Sequence, residues 1–352
     1  MKTAILLSGG VDSSVALALL RARGFTDVTA FYLKIWLEDE LAYLGDCPWE
    51  TDLEYARAVC DMMDVPLEIV PLQSEYFARV VEHTVAELRA GRTPSPDILC
   101  NQRIKFGEFF KKIDPAFEKV ATGHYAQVVE ENGVFRLKRA PDPVKDQTYF
   151  LSHLDQSQLS RALFPIGHLT KNEVRQKAIE FNLPTKDRKD SQGICFLGKI
   201  QYPEFVRFHL GEKDGAIVEI ETGKELGRHS GYWFYTIGQR QGLGLGNGPW
   251  FVIGKNVEKN IVYVSHKENF SAKTRNQFLV TNINWIGEAP SREDLRVKIR
   301  HGREFFDCRA ERNGVETDRR VTISQKDGGI APGQYAIFYE DEFCLGGGFI
   351  AE

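Results

Sequence analysis

Long apolar runs are missing from this sequence. The longest, Ala4–Leu7 and Val15–Leu20, fall well short of the ~20 residues that a membrane-spanning helix needs. The opening residues also lack the basic segment and hydrophobic core of a secretory signal. The expectation is a soluble, unexported, cytoplasmic chain with no membrane partner. Cysteine is scarce: six residues scattered over 352 do not make a disulfide framework, and in a reducing compartment they are either buried hydrophobes or reactive thiols. No two of them stand at metal-ligand spacing. A basic excess is absent as well. The net charge of −4 excludes an indiscriminate nucleic-acid binder and leaves room only for local basic patches. Internal repeats and low-complexity tracts are not found.

What is present suits a folded chain of several parts. A hydrophobic fraction of 42% over 352 residues can bury more than one core, so two or three domains are expected. The first half alternates strand-like and helix-like segments: Ala4–Leu7, a helix over Ser13–Ala22 stopped by Gly24, Val28–Leu33, a helix over Asp52–Met63, then Leu67–Pro71. That order predicts a parallel sheet with crossover helices. Ser74 reads as the N-cap of a helix running to Gly91, and Thr170 with Glu173 as a capping box opening a helix to Phe181. Beyond about Gly198, β-branched and aromatic residues alternate with glycine turns at Ala216–Ile220, Tyr232–Thr236, Trp250–Ile253 and Ile261–Val264. A third, all-β unit follows, with strands at Phe278–Trp285, Leu295–Arg300, Phe305–Arg309, Val321–Ser324 and Tyr335–Tyr339. The expected fold is α/β: a parallel-sheet domain over residues 1–197, a small β-rich domain over 198–266 and a C-terminal β-barrel over 267–352.

The sharpest local signal is Ser8-Gly9-Gly10-Val11-Asp12-Ser13-Ser14, where a buried first strand gives way to a helix. Glycines let a backbone approach a phosphate closely, and unpaired amides at a helix start face the anion. The bland reading is a tight turn in which Ser or Asp merely caps a helix. The segment is neither the lysine-bearing Walker loop nor the spaced-glycine dinucleotide fingerprint. It resembles the SGGxDS loop of the ATP pyrophosphatases, which cleave ATP between the α and β phosphates and adenylate a carbonyl oxygen. That resemblance implies a Rossmann-like sheet of the adenine-nucleotide α-hydrolase type and ATP as cofactor. It also implies a magnesium ion held by Asp12, pyrophosphate held by the backbone from Gly9 to Ser13, and nucleotide contacts from Leu6, Leu7, Ser8, Val11, Leu33 and Gly123.

Two further segments carry thiols. One is Gly91-Arg92-Thr93-Pro94-Ser95-Pro96-Asp97-Ile98-Leu99-Cys100-Asn101, whose prolines predict an extended or turned, exposed stretch. The other is Asp190-Ser191-Gln192-Gly193-Ile194-Cys195-Phe196, where Gly193 also suggests a loop. Together with the phosphate loop they narrow the resemblance to the bacterial tRNA-specific 2-thiouridylases, in which an acid and a cysteine sit in a Thr-Pro-Asn-Pro-Asp-x-x-Cys stretch. Ser95 stands here where that family has Asn, exchanging an amide for a hydroxyl. The resemblance runs on in collinear order through Ala121-Thr122-Gly123-His124-Tyr125, Lys145-Asp146-Gln147-Thr148-Tyr149-Phe150-Leu151, Thr236-Ile237-Gly238-Gln239-Arg240 and Cys344-Leu345-Gly346-Gly347-Gly348. It therefore covers nearly the whole chain.

The family mechanism implies adenylation of the C2 oxygen of the wobble uridine of tRNA. Attack at C2 by a persulfide on Cys195 follows, and Cys100 resolves the product by forming a disulfide. Asp97 would position the base and move a proton. The implied tRNA contacts are Ser95, Pro96, Asp97, His124, Lys145, Asp146, Gln147, Arg300, His301 and Gln334, with Arg300-His301 replacing a common Arg-aromatic pair. Implied partners are tRNAs of the Lys, Glu and Gln type and a persulfide-donating sulfur carrier or cysteine desulfurase. Cys47, Cys60, Cys308 and Cys344 read as structural. Arg296, Lys298, Arg300, Arg303, Arg309 and Arg312 crowd one region, but Glu304, Asp307 and Glu311 lie among them, so charge says little there. Two rivals keep the phosphate loop and change the chemistry: another adenylating enzyme without need of two thiols, or a non-catalytic nucleotide sensor or RNA scaffold.

Overall fold

The computed structural model describes residues 1–35, 49–189 and 201–351. Its first strand, β1 (Thr3–Leu6), is buried throughout and pairs in parallel with β2 (Val28–Lys34) on one side. β3 (Leu67–Pro71) lies beyond β2, and β4 (Lys119–Ala121) lies on the other side of β1. After β4 a hairpin, β5 (Ala126–Glu131) and β6 (Val134–Arg139), leaves this sheet, and β7 (Ala162–Leu163) returns to pair with β4. The order is β3-β2-β1-β4-β7, all parallel, so the connections out of β1 and β4 diverge. In open α/β sheets ligands bind at such a reversal, outside the carboxyl ends of the strands. Side chains alternate across β1: Ala4 and Leu6 enter one core and Ile5 the other, where Leu7 joins it. Helix α1 (Val11–Ala22) buries Val15, Ala16, Leu17 and Leu20 in that second core, alongside Leu53, Ala56 and Val59 of α2 (Trp49–Met63).

Three local expectations are corrected. Ser74 is not an N-cap: the helical stretch over 73–89 starts at Gln73 after Leu72, and its middle turn, Phe77–Val81, is π-helical. Leu72 is fully buried and its N–H bonds the Lys34 carbonyl at 2.9 Å, so tertiary packing, not capping propensity, sets the start. Residues 96–112, expected to begin as an exposed loop, are helical from Pro96 onward, with a π segment over Cys100–Glu108. Pro96 occupies the first turn, where the missing N–H costs nothing, and Ile98, Leu99, Ile104, Phe106 and Phe109 are buried. Tyr232–Thr236 is not a strand. Tyr232–Phe234 forms one 3-10 turn that buries Tyr232 and Trp233 in the core shared with Phe205 and Val206.

The middle unit is a four-stranded sheet of β8 (Gly215–Glu219), β9 (Glu225–His229), β10 (Trp250–Asn256) and β11 (Ile261–His266), in the order β10-β11-β8-β9. The last unit holds β12 (Arg275–Trp285), β13 (Asp294–Lys298), β14 (Phe306–Asn313), β15 (Val315–Asp327), β16 (Tyr335–Glu340) and β17 (Phe343–Ile350). These six pair in the order β12-β15-β14-β13-β16-β17, and β12 pairs with β17 to close a barrel. Closure leaves no free edge within the ring. Gly347 and Gly348 in β17 face backbone oxygens of Ala336 and Thr281 where a Cβ would stand, so side chains there would wedge the closing strands apart. The hairpin β5–β6 joins this barrel through β6 and β17, with Cys344 opposite Leu137. The first domain thus donates two strands to the sheet of the last.

Candidate active site

The loops leaving β1 and β4 lie side by side. Gly9 adopts φ +72°, and the Asp52 backbone of α2 occupies the space a Cβ would need. Gly10 caps α1 at φ −83°, ψ 163° and brings no side chain to its first-turn amides. Those amides and the positive end of the helix form the arrangement anions favour. The Ser13 hydroxyl donates to the Gly10 carbonyl at 3.2 Å and accepts from the Ser8 N–H at 3.3 Å; Ser14 donates to the same carbonyl at 2.8 Å. Gly123, expected against nucleotide, packs against the loop itself: its Cβ would stand 2.7 Å from the Ser13 nitrogen. Leu6, Leu7 and Val11 bury their side chains, so only their backbone can meet a ligand. Leu33 is half-buried near the end of β2.

Three residues not anticipated as functional converge on this loop. The Tyr125 hydroxyl donates to Asp12 Oδ1 at 2.8 Å, and the Lys171 ammonium to the same oxygen at 2.7 Å. Arg188 donates to the Gly9 carbonyl and to Asp52 Oδ1, both at 2.7 Å, with its guanidinium 4.3 Å from the Tyr55 ring centre. Because a peptide's C=O and N–H point in opposite directions, holding the Gly9 carbonyl also fixes where the Gly10 N–H points. Lys171 follows the Thr170–Glu173 capping box, which the structure bears out, and that box sets the first turn on which Lys171 rides. Tyr125 adjoins the His124 that the sequence singled out. Nothing local marks Arg188.

The approach to the Asp97–Cys100 segment is tied to the other domains at Thr93. Thr93 N–H donates to the Pro332 carbonyl at 2.9 Å, and its hydroxyl donates to that of Thr236 at 3.3 Å. Ser95 bonds the Tyr149 hydroxyl, which donates to the Tyr335 carbonyl at 3.1 Å. Pro96 is buried, Asp97 half-buried, and Cys100 only 1% exposed among Leu99 and Ile104. The expected exposure of this thiol is therefore not found, because the helix turns it into the core. Cys47, Cys195 and the whole Asp190–Phe196 segment lie outside the described residues. Before that segment, Arg175 donates to the Lys186 and Arg188 carbonyls at 3.3 and 2.5 Å. Cys60, Cys308 and Cys344 are buried, with burial pushing each thiol up to about 12, so they stay protonated and inert.

The residues expected to touch RNA fall into two groups. Several are committed inward. His124 is 8% exposed and shares a 2.7 Å bond between Nδ1 and Thr122, and burial holds it well below the usual imidazole range, hence neutral. Asp146 is buried, accepting from Arg139 at 3.2 Å, from Lys298 at 3.3 Å and from the Thr148 hydroxyl at 2.9 Å. Gln147 accepts from the Tyr125 N–H and donates its own N–H to the Tyr125 carbonyl, both at 2.9 Å. The second group lies nearer the surface. Lys145 and Gln334 are half-buried. Arg300 is forked on Asp327 at 2.8 Å through two nitrogens. His301 stacks on Phe150 at 4.5 Å, and burial lowers its pKa.

Among the described residues no group of acidic, histidine or cysteine side chains forms a metal cage, and no helix is long and apolar enough to cross a membrane. Residues 1–199 match the tRNA methyl transferase HUP domain, residues 203–266 the tRNA methyl transferase PRC-barrel domain, and residues 275–350 the aminomethyltransferase beta-barrel domain. A protein of Bacteroides fragilis named tRNA-specific 2-thiouridylase MnmA 2 is 46% identical, over 99% of this chain and all of its own. A tRNA-specific 2-thiouridylase MnmA of Parabacteroides distasonis is also 46% identical, over 100% of this chain and 99% of its own. An NMN synthetase of Francisella tularensis superposes with a TM-score of 0.33 and 17% identity, over 60% of this chain and 78% of that one, a likeness too slight to bear on function.

Proposed function

This chain belongs to the tRNA-specific 2-thiouridylase family, and from that membership we propose that it replaces the C2 oxygen of the wobble uridine of tRNA by sulfur, at the expense of ATP. The observation that carries the reading is the phosphate loop at the sheet reversal, with Asp12, Lys171 and Arg188 gathered on it.

In the first step the uridine O2 attacks the α-phosphorus of ATP and pyrophosphate leaves. The amides from Gly9 to Ser13 receive the departing phosphates, while the Lys171 and Arg188 cations offset their charge. Asp12 is a single carboxylate, which fits a magnesium ion bound mainly through phosphate oxygens and water rather than in a protein cage. When bound, magnesium would neutralise charge on the phosphates. In the second step the terminal sulfur of a Cys195 persulfide attacks C2, and AMP departs with the former O2. The Cys100 thiolate then attacks the Cys195 sulfur, which forms a disulfide and leaves the terminal sulfur on C2. An external thiol and a persulfide donor, a sulfur carrier or a cysteine desulfurase, restore the enzyme. Asp97 lies one helical turn before Cys100, so it can orient the base and shuttle a proton there. The buried Cys100 requires the first turn of its helix to open during catalysis. The reading places the enzyme in the cytoplasm, acting on tRNAs of the Lys, Glu and Gln type.

The test is to incubate the purified protein with unmodified tRNA, ATP, magnesium, a thiol reductant and a cysteine desulfurase supplied with cysteine as the persulfide donor, and to analyse the digested nucleosides by mass spectrometry. Formation of 2-thiouridine with equimolar AMP and pyrophosphate is expected. ATP bound and returned unchanged in the presence of tRNA would mark a sensor or scaffold instead.

A further inference from the structure

A continuous run of contacts joins the C-terminal barrel to the phosphate loop. It starts on β13 and just beyond it: Lys298, fully buried, donates to Asp146 at 3.3 Å, and His301 bonds the Asp146 backbone. The neighbour of Asp146, Gln147, grips the Tyr125 backbone through two bonds of 2.9 Å, one from its side chain and one from its own N–H. The Tyr125 side chain then crosses to Asp12, 113 residues away in sequence, at 2.8 Å. Tyr125 is 2% exposed and packed in the same core as Val11 and Val15, so its ring has no room to swing. Both donors to Asp12, Tyr125 and Lys171, meet the same oxygen, which orients the whole carboxylate.

We propose that Tyr125 is a positioning residue that aims Asp12 at the nucleotide and makes that aim depend on how the barrel holds the Lys145–Gln147 segment. The inference rests on the function proposed above, in which Asp12 meets the nucleotide, together with the RNA contacts that the family resemblance implies at Lys145 and at Arg300 and His301 just beyond β13. RNA held by Lys145 and by Arg300 and His301 shifts the backbone that carries Asp146 and Gln147, and through the doubly held Tyr125 backbone the phenol that fixes Asp12. Occupancy of one site then alters affinity at the other, and the effect is reciprocal.

The probe is α,β-methylene ATP with magnesium, titrated calorimetrically into the full-length protein with and without an unmodified tRNA transcript. For the natural chain the ratio of the two dissociation constants is expected to be at least about fivefold. Tyr125→Phe removes only the hydroxyl, and the ratio should fall to within about twofold, whatever the absolute affinities become. A second variant, Asp146→Asn with Lys298→Met, removes the buried pair together and leaves only the partly exposed Arg139 without its carboxylate; the same loss of ratio is expected. Retention of the natural ratio by either variant overturns the proposal, as does a ratio of one in the natural chain. Pyrophosphate release with tRNA present, measured alongside, separates this failure from that of the enzymatic reading, because a catalytically competent protein can still lack the coupling.

Discussion

The helix after the phosphate loop and the helix carrying Cys100 both begin without a side-chain cap, yet their first turns are completed by different means. At α1 the starting residues are glycines, with Gly9 seated against the Asp52 backbone and Gly123 against the first turn at Asp12 and Ser13, and the partners that arrive, Tyr125, Lys171 and Arg188, are polar. At residue 96 a proline removes one donor, Thr93 is tied to Pro332 and Thr236 of the other domains and Ser95 to Tyr149, and the thiol one turn on is packed among apolar side chains. One start leaves its amides to a ligand. The other spends its contacts on docking, so its reactive group is reached only by rearrangement.

The largest effect that sharpens this contrast is Cys100→Ser. Formation of 2-thiouridine should fall by on the order of 10³-fold or more, while tRNA-dependent pyrophosphate release continues, since activation and sulfur delivery use different helix starts. Full thiolation by this variant would dispose of the dithiol scheme. Asp12→Ala acts on the first start only. Pyrophosphate release at limiting magnesium should drop about 10²-fold, as expected when a charge-bearing contact to the phosphates is lost; turnover indistinguishable from the natural chain would break the assignment. Arg188→Ala frees the Gly9 carbonyl and removes a cation beside the departing phosphates, and should lower kcat/KM for ATP about tenfold. An unchanged kcat/KM would remove Arg188 from the phosphate site.

The smallest effect probes the packing around the second helix. His153 is buried against the Tyr335 ring, its Nε2 has no hydrogen-bond partner among the described residues, and desolvation, aided by nearby Arg103, pushes its pKa down to about 3. The unfolded chain takes up this proton near pH 6.5 and the folded chain does not. Its contribution is therefore complete above pH 6.5 and is lost as the pH falls towards 3, by up to about 1.4 kcal/mol per pH unit. His153→Leu should remove that share of the slope, read from urea midpoints at pH 7, 6 and 5. An unchanged slope would mean that the imidazole is solvated.

Several features were legible because consecutive residues suffice to specify them. The alternation of Ala4, Ile5, Leu6 and Leu7, the Ser8–Ser14 turn and the Thr170–Glu173 box each depend on spacing within a few residues, and each stands where it was expected. The Ser95–Cys100 segment misled because proline signals both a loop and a first helical turn, and only the burial of Ile98, Leu99, Ile104 and Phe106 separates them. The donation of the β5–β6 hairpin to the barrel had no local mark, since a strand pair does not announce which sheet it will join.

By itself, then, the sequence determined the phosphate turn, the order of the first three strands with the helices between them, and the family. Those follow from short-range sterics, periodicity and motif identity, which need no knowledge of distant partners. The tertiary structure alone decided that Asp146 faces Lys298 instead of solvent, that Cys100 is hidden, and that Asp12 is held by Tyr125 and Lys171. Each of these contacts joins residues far apart in the chain. Whether a polar side chain finds a buried partner or water is settled by which distant elements the packed cores bring beside it.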